Sequence, residues 1–85
     1  MAAERASVLV TGGAGYIGSH ACKALHRAGY RVVAFDNLIA GHREAVRYGE
    51  FVEGDITDTP AVREAIRRHR IASVMHFAAF LDVGE

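Results

Sequence analysis

The chain comprises 85 residues, 51% of them hydrophobic, and its ten Lys and Arg residues balance ten Asp and Glu residues. This zero net charge gives no electrostatic footprint for nucleic acid or an anionic membrane, so neither is expected as a partner. The length suits one small domain, near the size at which a single core is marginal. The polar N-terminus excludes a secretory signal, no apolar run approaches the ~20 residues of a membrane span, and the lone Cys22 permits no internal disulfide, which together predict a cytoplasmic location.

A glycine-rich segment follows the first predicted strand. The apolar run 8–10 predicts a buried strand that ends at Thr11, and apolar residues recur at helical spacing from Ile17. The glycines between them fit two overlapping patterns, Gly13-x-Gly15-x-x-Gly18 and Gly12-x-x-Gly15-x-x-Gly18. In both patterns one glycine permits the turn, one lets the backbone approach a pyrophosphate, and one lets the helix pack closely. With the open N–H groups of the helix's first turn, the segment predicts a dinucleotide phosphate site.

The first helix is predicted to continue to Ala28, with Gly29 as the C′ residue. Its expected buried face is a stripe of mostly small apolar residues, namely Ile17, Ala21, Ala24, Leu25 and Ala28. Cys22 lies at the edge of that stripe. No partner residue for a reactive thiol is evident, so Cys22 is interpreted as a small packing residue.

A second buried strand is predicted over 31–35 and ends at Asp36 and Asn37. A carboxylate 18 residues after Gly18 can accept both hydroxyls of an adenosine ribose and would repel a 2′-phosphate. This favours NAD over NADP as the ligand. The alternative is that Asp36 only caps the loop.

A possible short helix through Ala45, Val46 and Tyr48 lies between two glycines, with its basic residues in solvent. A short third strand is predicted over 51–53. A second helix follows, with Thr59 as its N-cap and Pro60 at its first position, and its buried face comprises Val62, Ala65, Ile66 and His69.

Asp55 follows the third strand at the edge where doubly wound sheets bind ligands, and its side chain could accept the adenine amino group. Turn chemistry or helix capping is the alternative role for this residue. The basic cluster 67–70 is interpreted as a complement to the negative end of the second helix rather than as a nucleic-acid site.

A fourth strand is predicted over 71–79. Small residues at its carboxyl end, Ala78 and Ala79, would let the backbone approach the second half of the cofactor. His76 has no further ligand at metal-binding spacing and is interpreted as a satisfied core histidine. Right-handed crossovers then predict a parallel sheet of order 3-2-1-4 with helices on both faces, a partial Rossmann fold whose fourth strand is an open edge. Together with the abrupt ending of the chain, this open edge indicates that 1–85 is the N-terminal fragment of an NAD-binding Rossmann domain.

Four motifs resemble the N-terminal part of the extended short-chain dehydrogenase/reductase family, and within it the UDP-glucose 4-epimerases. They are Val8 to His20, Asp36-Asn37-Leu38, Gly54-Asp55-Ile56 and His76-Phe77-Ala78-Ala79, followed by Val83-Gly84-Glu85. The resemblance covers almost the whole chain. Sugar-nucleotide dehydratases and decarboxylases share the first three motifs, so the choice of the epimerases depends on 16–20 and 83–85.

The resemblance implies a role in NAD binding for residues of each motif. The pyrophosphate would contact Gly12, Gly15, Tyr16, Ile17 and Gly18. The adenosine ribose would contact Asp36 and Asn37, the adenine Asp55 and Ile56, and the inner ribose and nicotinamide side Phe77, Ala78 and Ala79. Some family members carry a lysine near the cofactor where this chain has Leu81.

In the family's reaction, a hydride passes from C4 of a UDP-hexose to tightly held NAD⁺ and returns to the opposite face of the 4-keto intermediate. The base is a tyrosine with a lysine four residues later. The only lysine here is Lys23, and no tyrosine precedes it at that spacing. We therefore expect no catalytic residue in this chain, which would be inactive alone; the complete enzyme would bind a nucleotide sugar and form a homodimer. Another extended family enzyme and a non-catalytic dinucleotide-binding fragment are the alternatives.

Overall fold

The computed structural model describes residues 5–39 and 41–77, which form a four-stranded parallel sheet. Its strands are β1 (Ser7–Thr11), β2 (Arg31–Asp36), β3 (Glu50–Glu53) and β4 (Ser73–His76). Helix α1 (Tyr16–Arg27) connects β1 to β2, and helix α2 (Thr59–Arg68) connects β3 to β4. The spatial order β3-β2-β1-β4 confirms the predicted order 3-2-1-4.

The two central strands are buried on both faces, as expected for parallel strands between two layers of helices. Val10 of β1 pairs with Ala34 of β2 and with Met75 of β4. One face packs on α1 and contains Val8, Val10, Cys22, Val32 and Ala34. The other packs on α2 and contains Leu9, Val33, Phe35 and Ala65. The predicted placement of helices on both faces is therefore confirmed.

Helix α1 ends as predicted but buries a partly different face. Gly29 has a φ of 98°, the left-handed value typical of a C′ glycine. The fully buried residues of the helix are Gly18 and Cys22. The predicted face is correct at Leu25, which packs against the core, and wrong at Ile17, Ala24 and Ala28, which are exposed. A Cβ on Gly18 would clash with the Gly12 carbonyl. This contact fixes the rotation of α1 and brings Cys22, one turn later, into the centre of the buried stripe rather than to its edge.

Helix α2 begins one residue earlier than predicted. Asp58, and not Thr59, is the N-cap, because its carboxylate accepts the Ala61 N–H at 3.2 Å. Thr59 is the first helical residue and Pro60 the second. The buried face of α2 agrees with the prediction, since Ala65 is buried and Val62 and Ile66 pack against the same core. In 5–39 and 41–77, no helix has both the length and the apolarity to span a membrane.

The segment before β3 contains a 3-10 turn at Arg43–Ala45, not the short helix predicted through Tyr48. The backbone leaves helical geometry at Val46, whose ψ is 96°. Val46 and Phe51 pack against the core on the α1 side. Burial of the Val46 side chain thus competes successfully with extension of the turn.

Strand β4 is shorter than predicted and is exposed along its whole length. It pairs with β1, and within the described residues its other edge has no partner strand, as expected for an open edge. His76 is exposed and is not the core histidine of our interpretation. Its Nδ1 nevertheless lies 2.6 Å from the Thr11 hydroxyl oxygen, so the side chain has a hydrogen-bond partner.

Candidate functional site

The carboxyl ends of the strands lie along one edge of the sheet because every strand pair is parallel. The Gly12 N–H, after β1, donates to the Phe35 carbonyl of β2 at 2.8 Å. The Gly54 N–H, after β3, donates to the Asp36 carbonyl at 3.0 Å. These two bonds connect three successive loops. The structure therefore brings the predicted residues of the first three motifs to the same edge.

The glycines of the first loop have distinct structural roles. Gly12 has a φ of 74° and forms the turn. Gly13 packs against β2, since a Cβ there would lie 2.6 Å from the Ala34 Cβ. Gly18 permits the close approach of α1 to the turn. Gly15 differs from the others, because a Cβ on it would meet only the Gly12 carbonyl oxygen at 3.4 Å, an ordinary contact distance.

The fold therefore does not require a glycine at position 15. Gly15 is the N-cap of α1, with φ −82° and ψ 176°, which other residues readily adopt. The absence of a side chain there keeps the surface beside the turn free for a ligand. Of the two sequence patterns, Gly12-x-x-Gly15-x-x-Gly18 matches the three predicted roles, and Gly13 serves strand packing.

The N-terminus of α1 presents unpaired donors at this surface. No side chain caps the helix, and its first turn contains no acidic residue. The N–H groups of the first helical residues, Tyr16 to Gly18, have no intrahelical acceptor by virtue of their position. Tyr16 and Ile17 are 80% and 62% exposed. Free N–H groups and the positive end of the helix dipole are suited to an anion such as a pyrophosphate.

Asp36 lies at the end of β2 and is buried, with 8% of its surface exposed. Its Oδ2 accepts the Ala14 N–H of the glycine-rich turn at 2.9 Å. Its Oδ1 accepts the Leu38 N–H at 2.7 Å, so the loop-capping role is real. Each carboxylate oxygen can accept a second hydrogen bond. The carboxylate can therefore accept ribose hydroxyls while it holds both loops.

Asn37 and Asp55 are exposed at the ends of neighbouring strands. The Asn37 side chain accepts the Ile39 N–H at 3.0 Å. The pKa of Asp55 is held below its ordinary value, first by the Thr57 N–H and then by the Thr57 hydroxyl, with a smaller contribution from the Asn37 amide. An ionised, exposed carboxylate at this position can accept a hydrogen bond from an amino group. Next to it, Ile56 is partly buried against the core on the α2 side.

The fourth motif is described only in part. The Phe77 N–H donates to the Thr11 carbonyl at 2.9 Å, and the residue is exposed. The predicted contacts of Ala78 and Ala79 lie outside the described residues. Phe77 thus extends the carboxyl edge of the sheet beyond β1, on the side opposite Asp36.

Our sequence reasoning missed three residues that shape this edge. Ala14 donates to Asp36, and its carbonyl accepts the His42 N–H at 3.1 Å. Leu38 has a φ of 64°, an uncommon value for a residue with a Cβ, which turns the loop after β2. Thr57 holds the Asp55 carboxylate. Of the three, only Thr57 could have been predicted from the sequence, because Asp-x-Thr is a typical pattern for a turn closed by the Asp side chain.

A shallow cavity lies at the opposite edge of the sheet, beside Arg31 and Glu50. None of the predicted site residues lines it.

Comparisons with known proteins agree with this geometry. Residues 8–85 match the model of the NAD dependent epimerase/dehydratase family. The chain is 54% identical over 79 residues to the UDP-glucose 4-epimerase of Rhizobium leguminosarum bv. trifolii, covering 93% of this chain and 24% of that protein. The chain thus spans about a quarter of the length of most of the relatives it matches.

Solved structures show the same relationship. The UDP-glucose 4-epimerase of Brucella ovis in complex with NAD superimposes with a TM-score of 0.86 at 51% identity, over 88% of this chain and 23% of that one. The dTDP-glucose 4,6-dehydratase of Bacillus anthracis in complex with NAD gives a TM-score of 0.82 at 28% identity. The match covers 89% of this chain and 27% of that one. The fold is therefore common to both activities, while the identity is higher with the epimerase. The chain belongs to the NAD dependent epimerase/dehydratase family.

Proposed function

We propose that the chain is the N-terminal NAD-binding segment of a UDP-glucose 4-epimerase, which interconverts UDP-galactose and UDP-glucose. The observation that carries this proposal is the juxtaposition of the open Gly15 corner and the Asp36 carboxylate, joined through the Ala14 N–H. N–H donors for a pyrophosphate and a carboxylate that can accept from ribose hydroxyls, at adjoining strand ends, suit one dinucleotide. The identity of about one half with UDP-glucose 4-epimerases, against 28% with the dehydratase, favours epimerisation.

Each part of the cofactor has its own contacts in this proposal. The pyrophosphate lies against Gly12, Gly15 and Gly18 and accepts from the N–H groups of Tyr16 and Ile17. Asp36 and Asn37 hold the adenosine ribose, and Asp55 and Ile56 contact the adenine. Phe77, Ala78 and Ala79 lie toward the inner ribose and the nicotinamide.

When bound, NAD supplies a reversible hydride acceptor for the sugar. The residues of this chain bind and orient it, and none of them acts as the base. No tyrosine has a lysine four residues later, so we expect the 85-residue chain alone to have no epimerase activity. The complete enzyme would supply the tyrosine, the lysine and the nucleotide-sugar site. By family resemblance, we expect it to be a cytoplasmic homodimer.

The test uses the full-length protein and its Gly15→Val variant. A Cβ at position 15 has room in the fold, and the methyl groups that valine adds to it would project into the phosphate surface. We expect the variant to fold and to lose NAD binding, as measured by calorimetry, together with the conversion of UDP-galactose. Retained binding would overturn the phosphate site.

The activity assay separates the enzyme classes. Epimerisation of UDP-galactose by the full-length protein supports the proposal. Turnover of a dTDP-hexose alone would assign a dehydratase, and NAD binding without turnover of any nucleotide sugar would leave a non-catalytic dinucleotide-binding protein. The native mass is a further check, since a polypeptide of 9.2 kDa in its source would contradict the complete enzyme.

A further inference from the structure

The loop between β3 and α2 carries a hydrogen-bond arrangement that the proposed cofactor contacts do not use. Thr57 donates twice to the same oxygen of Asp55: its backbone N–H lies 2.8 Å from Oδ1, and its hydroxyl lies 2.7 Å from it. Both donors are exposed to solvent. Thr57 makes no contribution to the described hydrophobic cores, so these bonds are its evident contacts.

The two hydrogen bonds distinguish the two carboxylate oxygens of Asp55, because both are made to Oδ1. Oδ1 accepts both Thr57 donors, and Oδ2 accepts none of the hydrogen bonds found within 5–39 and 41–77, so Oδ2 is the oxygen that we assign to a ligand donor. Two hydrogen bonds from one residue also restrict rotation of the Asp55 side chain, which is otherwise exposed. The adjoining backbone is fixed separately, because the Asp58 N–H donates to the Asp55 carbonyl at 2.9 Å.

We propose that Thr57 is a positioning residue for adenine recognition, which holds the Asp55 carboxylate so that its Oδ2 faces the exocyclic amino group of the adenine. The inference rests on the adenine contact assigned to Asp55 in the proposed function. Thr57 itself does not touch the cofactor. It reduces the side-chain freedom that Asp55 would otherwise lose on binding.

The electrostatics agree with this role. The Asp55 carboxyl is ionised at neutral pH even at its ordinary pKa, and the Thr57 N–H and hydroxyl lower that pKa further. An ionised carboxylate accepts a hydrogen bond but cannot donate one. It therefore favours an amino group over the keto oxygen that hypoxanthine carries at the same ring position.

The test compares two dinucleotides in the full-length protein, NAD⁺ and nicotinamide hypoxanthine dinucleotide. Thr57→Val removes the hydroxyl but keeps the backbone N–H bond and the β-branched shape. We expect it to weaken NAD⁺ binding by about three- to tenfold, the usual effect of freeing one side chain. Binding of the hypoxanthine analogue should not weaken to the same degree, because it has no amino group for Asp55. Thr57→Ser, which restores a hydroxyl, should restore NAD⁺ affinity.

Two further variants make the outcomes distinguishable. Thr59→Val alters an exposed threonine two residues away and should leave both affinities unchanged. Asp55→Ala tests the underlying contact: it should weaken NAD⁺ more than the analogue. Should Asp55→Ala be selective while Thr57→Val is not, Thr57 has no positioning role and the proposed function stands. Equal effects of Asp55→Ala on both dinucleotides would refute the adenine contact itself, and the positioning role with it.

Discussion

A single carboxylate can fill two roles that look like alternatives in a sequence. Either ribose binding or loop capping explains an Asp at the end of β2. In the structure, Asp36 caps its own loop through Leu38 and also holds the turn after β1 through Ala14. The first bond is local and could be expected from the sequence. The second joins residues 22 positions apart and depends on the pairing of β1 with β2, which local patterns do not reveal.

The ribose role of Asp36 predicts a change in dinucleotide selectivity. We expect Asp36→Ala to weaken NAD⁺ binding by ~1–3 kcal/mol, the usual cost of leaving polar partners unpaired. Affinity for NADP⁺ should fall less or rise, since the charge that repels a 2′-phosphate is removed. Calorimetric titration of the full-length protein with both dinucleotides measures the two effects. As a control, Glu44→Ala removes an equal charge from an exposed site and should alter neither the NAD⁺ affinity nor the NADP⁺ affinity. Parallel losses for both dinucleotides would indicate that Asp36 only holds the loops.

The rotation of α1 shows how an element's position depends on one close contact. Apolar periodicity alone assigns Ile17 to the buried face. The Gly12 carbonyl lies directly against Gly18, so that residue must face inward, followed one turn later by Cys22. Hydrophobicity cannot identify this stripe, because a glycine contributes nothing to it. The glycine pattern contained the information, but only as part of a turn whose geometry must be known.

The central position of Cys22 predicts an unreactive thiol. Burial raises the pKa of Cys22 to about 11, so the reactive thiolate is scarce at pH 8. We expect iodoacetamide to label the folded protein slowly and the urea-unfolded protein rapidly, as followed by mass spectrometry. Because the pKa is higher in the folded state, stability should fall as the pH rises from about 9, near the unfolded value, to about 11. In the Cys22→Ala variant, this part of the loss of stability at alkaline pH should be absent. Rapid labelling of the folded protein would contradict the buried position.

The N-terminus of α2 gives a matched pair of substitutions. Asp58→Ala removes the side chain that accepts the Ala61 N–H and should lower the free energy of unfolding by about 1 kcal/mol. Thr59→Ala alters the first helical residue, which is exposed. This substitution should change the free energy of unfolding by less than about 0.5 kcal/mol. Urea unfolding followed by circular dichroism compares the two. A larger effect at Thr59 than at Asp58 would mean that Thr59 is the N-cap, as the sequence pattern predicted.

At the scale of the molecule, the topology was more predictable than the surfaces. Parallel strands, right-handed crossovers and short connections leave few arrangements, so the order of the sheet follows from the order of the predicted elements. Exposure depends on what lies beyond a strand or helix, which periodicity does not encode. His76 was therefore assigned to a core although it is exposed on β4. The local geometry of the strand ends was predictable where a motif has a backbone role, as at Gly12 and Gly18, and less so where a side chain such as Thr57 bonds to a neighbouring side chain.

The open edge of β4 predicts self-association of the 85-residue chain. Val74 is 50% exposed on this strand, whose outer edge has no partner within the described residues. Exposed apolar edge strands pair with other chains, and a charged side chain opposes such pairing. We expect sedimentation to show concentration-dependent association of the chain and Val74→Lys to reduce it. Ile39→Lys is the matched control, because Ile39 is 80% exposed but lies outside the sheet. Equal reductions by both variants would mean that general apolar exposure, and not the β4 edge, drives association.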